Sequence, residues 1–329
     1  MESNYPQSFI DLLDSKHDYI GQGNPNSKIL IVGREHGFVD ERQCCLEIWR
    51  NKEQWKQIIQ GIPFCEDGYS PRTCFTERGQ EFRLDLNSKH GGVSPTWYIY
   101  QMIVNTLCPH KMPQGKRAPL LDFFNYSFIT EFSTASRPNN NNPTDEEKAA
   151  TRESIEKRTP LLSSEFYRSF PIVILACGTY FDDYNIDIQT IFNVKWEGPT
   201  VSVQLDNGKR IWLNLHYSED RKRIVIHTWQ ASGICRQGVD NLQSFLDYLF
   251  NINSFPREVC DKALEYNLGQ LEFLRKSIGG FDVYVTKPIP QGEDPLMPTG
   301  LPEVLVYNDG VARYICGTES FDYLNSDNY

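Results

Sequence analysis

Four short runs of apolar, mostly β-branched residues restrict the fold of this chain more than any other feature. They occupy 28–33, 126–131, 171–176 and 223–227, and helix signals follow them. Uninterrupted apolar runs of this length are typical of strands buried on both faces of a parallel sheet. Strands that alternate with helices predict an α/β fold, a three-layer α/β/α sandwich with a mostly parallel central sheet.

Two helices have clear start signals. Ser94 supplies an N-cap ahead of a first-turn proline and the apolar segment 97–107, and Thr144 does the same for 145–158. The alternation is interrupted at 201–215, where two strand-like segments flank Asp-Asn-Gly and predict a β-hairpin. Residues 61–93 have no sustained hydrophobic period and predict a long irregular insertion.

Two domains are expected from this pattern. Residues 1–252 form the α/β domain, and 253–329 form a small α+β appendage. Within the appendage we predict a helix near 257–277, a strand at 281–286 and a hairpin around 308–310.

Composition narrows the class of protein. The chain has 329 residues, of which 40% are hydrophobic, and no apolar run approaches the ~20 residues of a spanning helix. The first residues lack the features of a secretion signal, so we expect a cytoplasmic protein with no membrane contact and with nine reduced cysteines. The net charge of −10 argues against non-specific coating of nucleic acid.

A local basic patch remains compatible with that charge. We expect this patch to surround a candidate active-site histidine of the last predicted core strand, and its members are Lys209, Arg210, Arg221, Lys222, Arg223 and Arg236. A solvated hairpin explains these charges equally well.

Six segments, read in order, resemble the thermophile-type, iron–sulfur branch of the uracil-DNA glycosylase superfamily over roughly two thirds of the chain. The segments, with the family elements that they resemble, are 28–37 (first strand and GEAPG loop), 61–64 (GxPF), 126–131 (YITN), 136–147 (CRPP and NRxPTPEE), 171–178 (PKVIVxLG) and 224–227 (the strand before HPS or HPA). The resemblance implies a glycosylase-like fold and hydrolysis of an N-glycosidic bond on a flipped base.

The family's iron–sulfur ligands are not preserved. Ser136 and Thr151 stand where the resemblance places two of the cluster cysteines. Hydroxyl groups do not replace thiolates on such a cluster, so we expect no metal and no cofactor.

The resemblance assigns a catalytic pair to Glu35 and His227. The carboxylate would stabilise positive charge on the sugar, and the histidine would stabilise negative charge on the departing base. Glu35 as a solvated loop residue is the alternative for the first position. For the second, His227 can equally be a hydrogen-bonded core residue, and His216, in a His-Tyr-Ser sequence, is a rival for the same role.

The resemblance also implies substrate-binding positions. Gly33 and Gly37 belong to the first loop, and Phe64 would be the aromatic platform for a flipped base, although a plain core phenylalanine is nearly as good an explanation. Glu131 stands where the family reads the base with an asparagine.

Glu131 bears directly on specificity. An ionised carboxylate only accepts hydrogen bonds and would repel the O4 atom of uracil, whereas a protonated carboxyl group imitates an amide. Pairing of Glu131 with a nearby arginine such as Arg137 is the alternative.

The sequence therefore predicts a uracil-DNA glycosylase-like hydrolase that is not specific for uracil and acts on DNA. The alternative is a catalytically inactive module on the same fold that binds nucleic acid or a nucleotide-like ligand. That module would contact a protein partner through the C-terminal appendage. An enzyme acting on small nucleosides is a third hypothesis.

Overall fold

The computed structural model describes most of the first 235 residues and parts of the remainder. The described residues are 5–38, 41–62, 83–85, 87, 88, 91–107, 120–138, 142–198, 200–204, 210–235, 258, 259, 262, 266, 271–276, 282–286, 304–308, 310–316, 319 and 320. The chain divides into two compact units, Met1–Asn241 and Leu242–Tyr329. No helix in the described part of the chain is long and apolar enough to cross a membrane.

The first unit contains eight helices and eight strands among its described residues. The helices are α1 (Gln7–Leu12), α2 (Glu41–Ile59), α3 (Pro95–Leu107), α4 (Asp145–Leu162), α5 (Glu165–Arg168), α6 (Tyr180–Tyr184), α7 (Ile188–Phe192) and α8 (Ala231–Cys235). The strands are β1 (Gln22–Gly23), β2 (Ile29–Phe38), β3 (Ser127–Pro138), β4 (Ile172–Ala176), β5 (Lys195–Trp196), β6 (Val201–Gln204), β7 (Arg210–Tyr217) and β8 (Ile224–Thr228).

These strands form one mixed sheet in the order β1-β3-β2-β4-β8-β7-β5, with β6 paired to β7. The four central strands β3, β2, β4 and β8 run parallel. They are the four strands that the apolar runs predict, so that part of the prediction is confirmed. The other four strands join antiparallel at the two sides.

The central strands are buried because their side chains pack on both faces of the sheet. Leu30, Ile31 and Val32 of β2 are fully buried, and successive side chains of a strand point to opposite faces. On one face Leu30 and Val32 join a cluster in which the rings of Phe128 and Phe166 lie 5.1 Å apart. Each large apolar side chain buried in this way contributes about 1.5–3 kcal/mol.

The predicted helix starts are confirmed. The Ser94 hydroxyl accepts a hydrogen bond from the backbone N–H of Trp97, at 3.2 Å. Thr144 and Glu147 form a reciprocal capping box at the start of α4. The predicted hairpin is confirmed as well, since β6 and β7 pair antiparallel.

The second unit contains a four-stranded antiparallel sheet in the order β12-β11-β10-β9. Its strands are β9 (Leu271–Lys276), β10 (Asp282–Thr286), β11 (Val304–Asn308) and β12 (Val311–Ile315). The predicted strand and hairpin are confirmed. The predicted helix is wrong over Leu271–Lys276, because those residues instead satisfy their backbone groups by pairing with β10.

Candidate functional site

The order of the parallel strands identifies one edge of the sheet as the candidate site. In chain order the parallel strands are β2, β3, β4 and β8, whereas in the sheet β2 lies between β3 and β4. From β2 the chain therefore crosses to β3 on one side of β2, and it then crosses back to β4 on the other side. In sheets of this kind, ligands bind beyond the carboxyl ends of the strands where the direction reverses. Here that point lies between β2 and β4.

Strands β2 and β3 extend beyond their predicted ends into this edge. The apolar patterns stop near Gly33 and Glu131, yet pairing continues through Glu35 with Ser133 and Gly37 with Arg137. The register shifts between Glu35 and Gly37. Irregular pairing of this kind is common next to ligand-binding sites, because it redirects side chains.

The Glu131 carboxyl group lies directly over Gly33. These two residues are partners in the β2–β3 register. A Cβ atom on Gly33 would overlap Oε2 of Glu131 and would lie 2.8 Å from its Cδ. A larger residue at position 33 would therefore displace the Glu131 carboxyl group from its present place. Oε2 is shielded from solvent and has no hydrogen-bond partner among the described residues.

Glu35 is the second carboxyl group at this edge. Only 6% of its side chain is exposed, and its Oε2 lies 4.0 Å from Nε of Arg34. Burial and then the charge of Glu35 raise the pKa of Tyr180, the first residue of α6. The alternative that Glu35 is a solvated loop residue is therefore wrong, since Glu35 lies in β2 with a largely shielded side chain.

The two carboxyl groups influence each other electrostatically. Burial raises the pKa of Glu131 to about 8, the negative charge of Glu35 acts in the same direction, and the positive charge of Arg158 opposes both. At neutral pH the protonated form of Glu131 is therefore favoured. A carboxyl group that keeps its proton beside a charged one is a common arrangement for acid–base chemistry.

Arg34 connects the first loop to the end of β8. Its guanidinium group lies 5.0 Å from the ring centroid of Tyr180, and Nη1 donates a hydrogen bond to Oε1 of Gln230 at 3.2 Å. A quarter of the Arg34 side chain remains exposed. The edge therefore offers a positively charged group to solvent beside the two carboxyl groups.

His227 is enclosed in the sheet. It is 4% exposed, its ring lies 4.4 Å from that of Phe181 and 4.7 Å from that of Trp212, and its Nε2 donates a 2.8 Å hydrogen bond to the carbonyl oxygen of Gly178. Burial lowers the pKa of His227 to about 4. The charges that act on it are those of His216 and Asp182 rather than Glu35.

The rival histidine is also buried. His216 lies on β7 and is 5% exposed, and burial lowers its pKa. Its backbone pairs with Val225 of β8 and with Trp196 of β5. Both histidines are thus neutral at pH 7, and their surroundings are those of packed core residues.

Of the predicted basic patch, Lys209 and Arg236 lie outside the described residues, and Arg210 begins β7. Arg221, Lys222 and Arg223 form the turn before Ile224, at the amino end of that strand. The candidate site lies at the opposite end, beyond Thr228. The expectation that these three residues surround the site is therefore wrong, because the tight turn from β7 into β8 returns the chain to the amino edge of the sheet.

Three other positions singled out from the sequence provide less support for the candidate site than Gly33, Glu35 and Glu131 do. Phe64 lies outside the described residues, and its role as a platform stays a prediction. Gly37 is exposed near the end of β2. Thr151 is 1% exposed on α4, and its hydroxyl has no hydrogen-bond partner among the described residues.

Sequence reasoning missed Arg34, Tyr180 and Arg158. The signal for Arg34 was its place beside Glu35 in the first loop. Tyr180 and Arg158 lie on helices, and no local pattern indicates that they reach the end of β2 or β3. In the described part of the chain, no group of three or more His, Cys, Asp or Glu side chains is placed to hold a metal ion.

Comparison with known proteins gives no further assignment. No protein-family model matches the chain, and no curated protein matches it.

Proposed function

We propose that this protein is a uracil-DNA glycosylase-like hydrolase that cleaves the N-glycosidic bond of a flipped base. One observation carries the proposal: Glu35 and Glu131 converge on the edge where a ligand is expected, and the pKa of Glu131 is raised to about 8 while Glu35 supplies a negative charge. The segments that resemble the superfamily supply Gly33, Glu35 and Glu131.

The proposed fold is the three-layer sandwich of that superfamily. Strand crossovers between parallel strands are right-handed in nearly all proteins. Because the chain crosses from β2 to β3 in one direction and from β3 to β4 in the other, such crossovers carry their helices to opposite faces of the sheet. Helices placed in this way would form a layer on each face of the sheet.

The two carboxyl groups have different roles in the proposed reaction. As the bond between C1′ of the sugar and the base nitrogen breaks, its electron pair leaves with the base and positive charge develops on the sugar. The Glu35 carboxylate stabilises the positive sugar and accepts a proton from the water that adds to C1′. Protonated Glu131 donates a hydrogen bond to the departing base and stabilises its negative charge.

Protonated Glu131 also explains a broad choice of base. A carboxylic acid has one donor and one acceptor, and either oxygen can carry the proton. It can therefore pair with the carbonyl and N–H of uracil or with the amino group and ring nitrogen of another base. Repulsion between Glu131 and uracil is expected only where the carboxyl group ionises, at pH values above about 8.

The proposed partner is DNA, in single strands or with the base flipped out. Arg34 is the exposed positive group beside the carboxyl pair and would contact a phosphate next to the target base. A cytoplasmic location and a protein partner for the C-terminal unit belong to this proposal as well.

The test is release of free base from synthetic DNA. Single- and double-stranded oligonucleotides containing uracil, hypoxanthine or xanthine, and the corresponding free nucleosides, are incubated with wild type, Glu35→Ala and Glu131→Gln at pH 6 to 9. We expect release by wild type that falls as pH rises through about 8, no release by Glu35→Ala, and a flat pH profile above pH 7 for Glu131→Gln. Equal release by wild type and Glu35→Ala would contradict the assignment.

A catalytically inactive binding module is the second candidate. The observation that favours it is the enclosure of His227, whose Nε2 is already bonded to Gly178. Oligonucleotide binding by wild type without release of any base would support the module. Release from free nucleosides alone would support a nucleoside hydrolase.

A further inference from the structure

Arg158 of α4 is a buried cation beneath the candidate site. It is 2% exposed, and three of its nitrogen atoms donate hydrogen bonds to acceptors on two segments of the chain. Nε donates to the carbonyl oxygen of Glu131 at 3.0 Å, Nη1 to the carbonyl oxygen of Tyr19 at 2.7 Å, and Nη2 to Oγ1 of Thr130 at 2.9 Å. The guanidinium group lies 5.2 Å from the ring centroid of Tyr19.

These acceptors are neutral. Among the described residues, no carboxylate oxygen lies within ion-pair distance of the Arg158 guanidinium group. Arginine keeps its proton in proteins even when burial lowers its pKa, as burial does here. Within the part of the chain that the structure describes, Arg158 therefore holds a buried positive charge without an ion-pair partner, and burial of such a charge costs free energy that its hydrogen bonds must offset.

The charge lies on the other side of β3 from the carboxyl pair. Thr130 and Glu131 are consecutive residues of a strand, so their side chains point to opposite faces of the sheet. Arg158 contacts the Thr130 side, whereas the Glu131 carboxyl group lies over Gly33. The only Arg158 contact with Glu131 is through the backbone.

We propose that Arg158 is a positioning residue of the candidate site: it fixes the backbone of β3 at Glu131 through the carbonyl group of that residue and supplies a permanent positive charge behind the two carboxyl groups. Glu35 and Glu131 approach each other from adjacent strands, and their mutual repulsion would otherwise favour separation. When Glu131 gives up its proton, the fixed cation stabilises the resulting anion without any movement of side chains.

Among the described residues, the titratable and charged groups that interact electrostatically with Glu131 come from four elements. Glu35 approaches from β2, Tyr100 from α3, Cys177 from the segment after β4 and Arg158 from α4. Burial raises the pKa values of Tyr100 and Cys177, so both are neutral near pH 8. Arg158 is therefore the positive charge that opposes Glu35 in setting the ionisation of Glu131.

The inference rests on the proposed function only where it concerns catalysis, so the experiment measures ionisation directly. The carboxyl carbon signal of Glu131 is assigned in protein labelled with ¹³C-glutamate by comparison with Glu131→Gln. Its titration is then followed from pH 5 to 10 in wild type, Arg158→Gln and Arg158→Lys. Glutamine keeps hydrogen-bond donors but has no charge, whereas lysine keeps the charge but lacks the planar guanidinium group with its several N–H donors.

We expect Arg158→Gln to raise the pKa of Glu131 by about 1 pH unit and Arg158→Lys to raise it by about 0.3 pH unit, because lysine keeps the charge but cannot hold it in the same place. A Glu131 pKa that does not rise in Arg158→Gln would overturn the inference. If Arg158→Gln does not fold, Arg158→Lys decides: any rise supports the inference, and an unchanged or lower value overturns it. These titrations do not depend on base release. The proposed function and the proposed role of Arg158 can therefore be contradicted independently of each other.

Discussion

Glu131 on β3 and His227 on β8 are titratable residues on central parallel strands, the first half-buried and the second buried, and two strands separate them in the sheet. Their surroundings are opposite in kind. His227 packs between two aromatic rings and donates a hydrogen bond to a backbone carbonyl oxygen. The Oε2 atom of Glu131 is shielded from solvent without a hydrogen-bond partner in the described structure, and a second carboxyl group lies nearby.

The difference indicates which residue stabilises the fold and which residue can interact with a ligand. A buried polar group with its partners in place stabilises the fold, and its removal leaves a cavity and an unpaired carbonyl group. A buried polar group without a partner costs stability and is tolerated where a ligand supplies the partner. Glu131 meets the second description, and His227 meets the first.

The largest expected effect concerns Glu35. Replacing it with glutamine removes the negative charge that would stabilise the sugar, so base release should fall by about 1,000-fold. The free energy of unfolding should change little, since glutamine has nearly the same size and shape as glutamate. Release is measured by chromatography of the free base and unfolding by urea titration.

Glu156→Gln is the matched control, because Glu156 is exposed on α4 and distant from the carboxyl pair in sequence. Base release by this variant should equal that of wild type. A comparable loss in both variants would place the catalytic carboxylate elsewhere.

His227→Ala should act on stability rather than on catalysis. Loss of the enclosed ring and of its hydrogen bond to Gly178 should lower the free energy of unfolding by about 3 kcal/mol. Base release per folded molecule should change less than 3-fold, in the range of ordinary indirect effects. His17→Ala, at a partly exposed position, serves as the control and should cost less than about 1 kcal/mol. A 100-fold loss of release with intact stability would restore His227 as the catalytic histidine.

Glu131 should make stability decrease with rising pH. Its pKa is about 8 in the folded protein and 4.5 in an unperturbed side chain, so above pH 4.5 the folded state retains a proton that the unfolded state has lost. The stabilisation is complete below about pH 4.5 and is lost as pH rises through about 8.

Between pH 6 and pH 8 the Glu131 contribution should decrease by about 2 kcal/mol, and Glu131→Gln should abolish this decrease. Urea titrations at intervals of half a pH unit would measure both. A wild-type stability that is flat or increases over this interval, and that Glu131→Gln leaves unchanged, would show that Glu131 ionises normally and would remove the contrast with His227.

The smallest expected effects concern oligonucleotide binding, which should differ between variants at the two ends of the parallel strands. Arg34→Gln should weaken binding of a single-stranded oligonucleotide by about 10-fold, the scale of one lost charged hydrogen bond. Lys222→Glu, at the amino end of β8, should change binding by less than 2-fold even though it reverses a charge. Fluorescence anisotropy at constant salt measures both, and a larger effect at Lys222 would indicate a binding surface on the amino edge.

Much of the fold could be predicted from the sequence because the signals are local. Apolar runs identified the four parallel strands, and the Thr144 capping box identified the start of α4. The helix predicted across Leu271–Lys276 failed because a short segment of mixed apolar and charged residues satisfies either pattern, and pairing with β10 decides between them.

The sequence by itself determined the α/β alternation, the parallel core and the presence of Gly33, Glu35 and Glu131 close to the ends of the apolar runs, since each depends on residues close together in the chain. Only the tertiary structure decided that the two glutamates share one edge, that His227 is enclosed and that Arg158 lies beneath β3. The physical reason is that ionisation depends on burial and on charges brought close by folding, and these distances are not encoded in any local pattern.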